Sequence, residues 1–186
     1  MFEVDLFDQS LSPDSLAAAI VERAFAGKYE FLGTPYSDHL FRVAEKCVDE
    51  STKVVALLHD LLEDCPTWSA ERLLKYFPQD IVHDVVLLTN DTYQSYEVYI
   101  QSIYNGSQRV LEVKIADLED NMDLKRLPEL REKDVQTLIR YHEFWHYCLF
   151  GIKTNRYNSQ NLIYNCIIRS KMTHPDFENS ESYRCE

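Results

Sequence analysis

The stretch LLHDLLEDC, residues 57–65, sets one histidine, three carboxylates and four leucines in nine positions. Only a helix sorts such a mixture into faces. At 100° per residue with His59 at zero, Glu63 falls at about 40°, Asp60 at about 100° and Asp64 at about 140°. Leu57, Leu61, Leu58 and Leu62 fill the opposite arc, from about 160° to about 300°, while the small Ala56, at about 60°, lies within the polar sector and leaves room for something to approach. The leucines thus face a core, and the acids share a sector with a histidine and no Lys or Arg. Three like charges so close repel one another, and a bound cation relieves the repulsion.

The rest of the chain carries the same helical spacing. With only 4 Gly and 6 Pro in 186 residues, there is little material for the tight turns of an all-β fold. Ser12-Pro13-Asp14 reads as a helix start, followed by LAAAIVERAFAG to a stop at Gly27. KYEFLGTPY is a loop, Ser37 caps DHLFRVAEKCV, and Ser51 caps a helix running through Asp64 to Pro66. LLKYF, QDIVHDVVLL after Pro78, YEVYIQSIYNG and RVLEVKIADLEDNM are also helical, with a break at Asn105-Gly106. Pro128 opens a long helix to Gly151, QNLIYNCIIRS forms another, and the polar end from His174 frays. The expected fold is all-α, one domain over 1–173 with a flexible tail over 174–186.

Charge and cysteine usage narrow the partners. A formal charge of −12 opposes nucleic acid or an anionic membrane as the main partner, so a phosphate ligand needs a local cation. The five cysteines form no CxxC pair and leave one over, which suits a reducing cytoplasm. The N-terminal MFEVDLFDQS has no signal-peptide pattern, and no apolar run approaches a membrane span. Homo-oligomerisation stays open.

Partners for the dyad His59-Asp60 occur elsewhere. His39 lies upstream near the start of its own helix, where an antiparallel helix pair folds it over the dyad. Downstream, VKIADLEDN supplies Asp117 and Asn121, an i, i+4 pair on one helix face. Two histidines and two aspartates suit Mn, Fe or Zn with positions left for water and substrate. A second dyad, His83-Asp84, is followed four residues on by Leu87 and Leu88 instead of acids, and reads as helix surface.

GTPYSDH, ALLHDLLED and VKIADLEDN, in that order and spacing, resemble the HD-domain hydrolases of the RelA/SpoT homologue type, above all the small stand-alone ones. The resemblance covers roughly residues 15–130, leaving the C-terminal helices over 128–172 outside it. It implies an all-α HD-domain helical bundle that removes the 3′-pyrophosphate from (p)ppGpp with Mn²⁺. His39, His59, Asp60 and Asp117 match the metal ligands. Glu63 and Asp64 match the acids that activate or orient water, and Asn121 matches a polar residue beside the substrate. Glu30, Phe31, Thr92 and Asp123 stand where such hydrolases commonly carry cations, so the substrate pocket is altered. Lys28, Lys114, Lys125 and Arg126 are candidates to compensate, and Tyr36 serves either core packing or base stacking.

Two competing readings come from other classes. One is a metal and nucleotide sensor without turnover, against which the complete Glu63-Asp64 pair argues. The other is a zinc peptidase built on the HExxH sequence His142-Glu143-Phe144-Trp145-His146. A charged flank at Arg140, no evident sheet and no clear third ligand, with Glu178 and Glu181 in the tail, oppose it.

Overall fold

The computed structural model describes residues 7–30, 32–90 and 95–153. The expected helix QNLIYNCIIRS, the tail, Cys166, Cys185, Glu178, Glu181, Phe31 and Thr92 lie outside them. Among the described residues there are helices and turns but no strand, only an isolated bridge between Tyr29 and Pro35. No described helix is long and apolar enough to cross a membrane.

Helix α1, Pro13–Ala24, begins with proline in its first turn and buries Leu16, Ala17, Ile20 and Val21 along one stripe. The chain then turns through Gly27, whose φ of 83° is a conformation that a residue without Cβ adopts at little cost. A compact loop follows, closed by Glu30 N–H donating to the Thr34 carbonyl and Tyr36 N–H to that of Lys28. Gly33, at φ 78°, allows its reversal.

Helix α2, Tyr36–Glu45, starts one residue before the cap expected at Ser37. Pro35 occupies the cap with its φ already fixed at −55°, which draws Ser37 into the first turn. His39, Leu40, Val43 and Ala44 are its buried residues.

The single helix expected over 51–64 is two, α3 (Glu50–Leu58) and α4 (Leu61–Asp64), with Asp49 rather than Ser51 at the cap position. His59 Nδ1 lies 2.7 Å from the Ala56 carbonyl oxygen and donates to it. A side-chain donor there competes with the helix's own N–H groups, and His59-Asp60 becomes a turn. Helical bonding resumes when Asp64 N–H donates to the Asp60 carbonyl at 2.9 Å. Ala56 is wholly buried, so it opens no approach of the kind expected.

Helix α5, Ala70–Leu73, is a single turn capped by the Ser69 side chain. The helix expected through LLKYF is therefore cut short. Lys75 and Tyr76 donate three residues back, and Pro78 restricts the residue before it. Helices α6 (Gln79–Leu88), α7 (Tyr96–Asn105) and α8 (Gln108–Asn121) fall where the spacing placed them, the last two capped by Ser95 and Ser107. A 3₁₀ turn covers Leu124–Arg126.

Helix α9, Glu132–Lys153, begins four residues after Pro128. Arg131 and Asp134 set that start. The Arg131 carbonyl accepts from Asp134 N–H, while the Asp134 carboxylate accepts from Arg131 N–H and its guanidinium.

At the centre, α3 packs against α1, α2, α6 and α8, and α8 packs also against α2 and α9. Leu58, Leu61 and Leu111 are fully buried where these helices meet. The second dyad departs from its surface reading. His83 is exposed, but Asp84 is buried and accepts from Arg109 Nε and Ser107 Oγ, both at 2.7 Å. Leu61→Ala is expected to lower stability by about 2–5 kcal/mol through lost burial and a residual cavity, read as a reduced urea midpoint with an unchanged slope.

Candidate metal centre

Three segments bring the polar groups together. α2 supplies Tyr36 and His39, the turn between α3 and α4 supplies His59 and Asp60, and α8 supplies Lys114, Asp117, Asp120 and Asn121. The 3.6-residue period puts Asp117 and Asn121 on one side of α8, turned toward α2 and α3.

Asp117 Oδ1 lies 3.3 Å from His39 Nε2 and 3.6 Å from His59 Nε2. Asp60 closes the group, with Oδ1 3.2 Å from His59 Nε2 and Oδ2 3.8 Å from His39 Nε2. His39, His59 and Asp60 each offer a ligand atom within 4.8 Å of the others. Donor atoms sharing an ion at about 2.1 Å stand about 3.0–3.4 Å apart, so the separations suit a common centre.

The donor set passes a sharper test. His59 Nε2 is buried and has no hydrogen-bond partner among the described residues, whereas Nδ1 donates to the Ala56 carbonyl. A neutral ring with its proton on Nδ1 presents a bare lone pair at Nε2. Leaving a buried polar atom unsatisfied costs about 1–3 kcal/mol, and a cation at that lone pair removes the cost.

His39 is oriented in the same sense. Its Nδ1 is 2.7 Å from Asp120 Oδ2, which leaves Nε2 facing Asp60 and Asp117. Burial acts to lower the basicity of His39, but hydrogen bonds to Asp117 and Asp120 outweigh it and raise the pKa to about 9. Asp117 is also fully desolvated, yet the Lys114 ammonium 2.8 Å away and the hydrogen bond with His39 hold it well below the usual carboxylate range.

Glu63 and Asp64 project from α4 beside this group. Burial, aided by the negative charge of Asp60, pushes both carboxyls up. Glu63 Oε2 accepts from Asn90 N–H at 3.0 Å, and the Asp64 carbonyl accepts from Lys28 Nζ. Asn121 Nδ2 donates to Asp117 Oδ1 at 2.6 Å, so it reaches the metal-ligand set itself.

The candidate substrate residues separate. Tyr36 donates to Asp60 Oδ2 at 2.7 Å, and its ring stacks on Phe25 at 5.1 Å. Lys114 is tied to Asp117, and Lys28 sits over the Phe25 ring. Lys125 is exposed on the 3₁₀ turn, where its backbone N–H donates to the Asp123 carboxylate. Arg126 donates to Asp120 Oδ2 at 2.6 Å and pairs with Glu30. Arg42 joins the same two acids.

Sequence reasoning missed Asp120 and Arg42 as members of the site. Each lies three residues from a candidate ligand on its own helix, Asp120 after Asp117 and Arg42 after His39, and that spacing was the available signal.

The HExxH sequence is elsewhere, on α9. His142 and His146 are exposed, Phe144 is buried against Tyr99, and the Trp145 indole donates to Glu119. Among the described residues, the groups of three close ligand atoms are His39/His59/Asp60 and Glu30/His39/Asp120, and neither includes this motif.

No family model and no curated protein matches the chain. A solved structure described as a metazoan ortholog of SpoT that hydrolyzes ppGpp and plays a role in starvation responses is similar in fold. The two share 19% identity at a TM-score of 0.63, covering 80% of this chain and 98% of that one. The likeness shows the fold, an all-α helical bundle.

Lys114→Met removes the cation beside a carboxylate that is only 5% exposed. The metal-free variant is expected to lose about 3–5 kcal/mol of unfolding free energy, the cost of stranding a buried charge, measured by denaturant titration in chelator.

Proposed function

We propose that the chain is a metal-dependent phosphohydrolase that releases pyrophosphate from (p)ppGpp or a related nucleotide. The observation that carries this reading is the bare, buried Nε2 of His59 facing Asp60 and Asp117, with Nδ1 already committed to Ala56. His39, His59, Asp60 and Asp117 would hold the ion, Mn²⁺ in the first place and Fe²⁺ or Zn²⁺ as alternatives. Such an ion, when bound, acidifies water and polarises a phosphoryl oxygen. The fold likeness to a structure described as hydrolyzing ppGpp supports the choice of substrate.

The chain's own residues handle the proton and the anion. Glu63 and Asp64 accept the proton of the attacking water. Their raised pKa values bring them nearer to working pH, where a general base is most effective. The water oxygen bonds to phosphorus as the bond to the nucleotide's 3′ oxygen breaks. Asn121 steadies Asp117, and the Tyr36 hydroxyl does the same for Asp60.

The cation supply is unlike that of the resembled hydrolases. Glu30, only 8% exposed, occupies a position where they commonly carry a base, and it engages Arg42 and Arg126. Lys28 is then the side chain best placed to meet a substrate phosphate, because its ammonium donates to the neutral carbonyl of Asp64 and not to a carboxylate.

Chelator-stripped protein given ppGpp is expected to release pyrophosphate only after Mn²⁺ is added, and Asp60→Ala to release none. Nucleotide binding without release would replace the hydrolase with a sensor, and neither binding nor release would remove ppGpp as the substrate. Glu63→Gln is expected to lower kcat by about 10²–10⁴ while Mn²⁺ affinity, measured by titration calorimetry, stays near that of the parent.

A further inference from the structure

The side chains behind His39 form a closed ionic group. Glu30 and Asp120 supply two carboxylates, Arg42 and Arg126 two guanidiniums, and the formal charges cancel. Arg42 Nε donates to Asp120 Oδ1 at 2.9 Å, and its Nη2 to both Glu30 oxygens at 3.0 Å. Arg126 Nη1 donates to Asp120 Oδ2 at 2.6 Å and to the Asp120 carbonyl at 2.7 Å, and its Nη2 pairs with Glu30. Thr34 Oγ1 donates to Glu30 as well, at 3.0 Å.

Glu30, His39 and Asp120 lie close enough to be taken for a second metal site. The surrounding contacts oppose that reading. Both carboxylates are already satisfied by guanidiniums, and the His39 nitrogen on this side is a hydrogen-bond donor to Asp120. What remains is a scaffold that meets His39 through Asp120 Oδ2, 2.7 Å from His39 Nδ1, and meets Asn121 through a long contact of 3.4 Å from Arg126.

We propose that Asp120 is a positioning residue for the metal ligand His39, clamped by Arg42 and Arg126 so that its carboxylate fixes the imidazole proton on Nδ1 and aims Nε2 at the ion. The inference rests on the metal centre proposed above and goes beyond it. A carboxylate that accepts the distal N–H of a histidine ligand fixes the tautomer, stops ring rotation and raises ligand basicity. His59 obtains the same result from a neutral backbone carbonyl. The two histidines are therefore held by different means, and only His39 depends on charge carried by residues distant in sequence.

Glu30 provides the control. It contacts the same two arginines as Asp120 but donates or accepts nothing at His39 in the observed hydrogen bonding. Asp120→Asn and Glu30→Gln each remove one negative charge from the same group. Mn²⁺ affinity of chelator-stripped protein, measured by titration calorimetry, is expected to fall about tenfold or more in Asp120→Asn and less than about threefold in Glu30→Gln. Equal losses would mean a general charge effect and overturn the positioning role, as would an unchanged affinity in Asp120→Asn. Imidazole nitrogen NMR of the Zn²⁺-loaded parent protein gives a second reading that no variant's folding can disturb. Proton on Nδ1 of His39 supports the proposal, and proton on Nε2 overturns it. Failure of the parent itself to bind Mn²⁺ or Zn²⁺ would overturn the metal centre and this inference with it, whereas failure of the variant contrast alone would leave the centre standing.

Discussion

A carboxylate buried where helices meet has to be compensated, and the arrangement around Asp117 follows from that requirement. Its side chain is only 5% exposed, far from the solvation an ionised acid needs. Lys114 and Asn121 reach it along its own helix, one turn before and one turn after. His39 and His59 come from the helices packed against that face. Desolvation alone would neutralise Asp117, but the Lys114 cation and the His39 imidazole keep it ionised. An ionised, fixed oxygen is what a cation site requires, and the contacts that make the burial tolerable supply one.

The break between α3 and α4 is the second condition. If helical bonding ran on through residues 59 and 60, the Ala56 carbonyl would be taken by the backbone and the His59 ring would be free to choose either tautomer. Instead the ring donates to that carbonyl, the helix yields for two residues, and Nε2 is left bare. Leu58 and Leu61, both fully buried on either side, fix the turn in place from below. A loss of regular helix is thus exchanged for an imidazole with a fixed orientation.

The strongly acidic composition acquires a local meaning. Although the formal charge is −12, the cations near the site are committed in pairs, Lys114 to Asp117 and the two arginines to Glu30 and Asp120. Those pairings stabilise the acids without offering their full charge to an incoming anion. Any phosphate ligand then depends more on a bound metal, and on Lys28, than it would in a cation-rich pocket. Glu30 illustrates why a residue that looks like a defect by analogy is nothing of the kind here: its partners, Arg42 and Arg126, lie 12 and 96 residues away and complete it.

Local pattern in the sequence determined a good deal by itself. The alternation in LLHDLLEDC set which side chains face the core, prolines 13 and 78 marked helix starts, and i, i+4 spacing paired Asp117 with Asn121. These follow from short-range geometry, which a helix imposes on neighbours three and four residues apart. Other features were decided only by tertiary structure. Pro35 took the α2 cap from Ser37, a competition between residues two apart that the loop's closure settled. The turn at His59-Asp60 needed a ring folded back on its own helix, and α9 began at an Arg131–Asp134 cap that proline placement did not reveal. Asp84 looked like surface until Arg109 reached it from α8. Asp120 meets His39 across 81 residues, and Arg42 across 78. Contacts at such separations carry no period along the chain, because helix packing and not helix geometry brings them together.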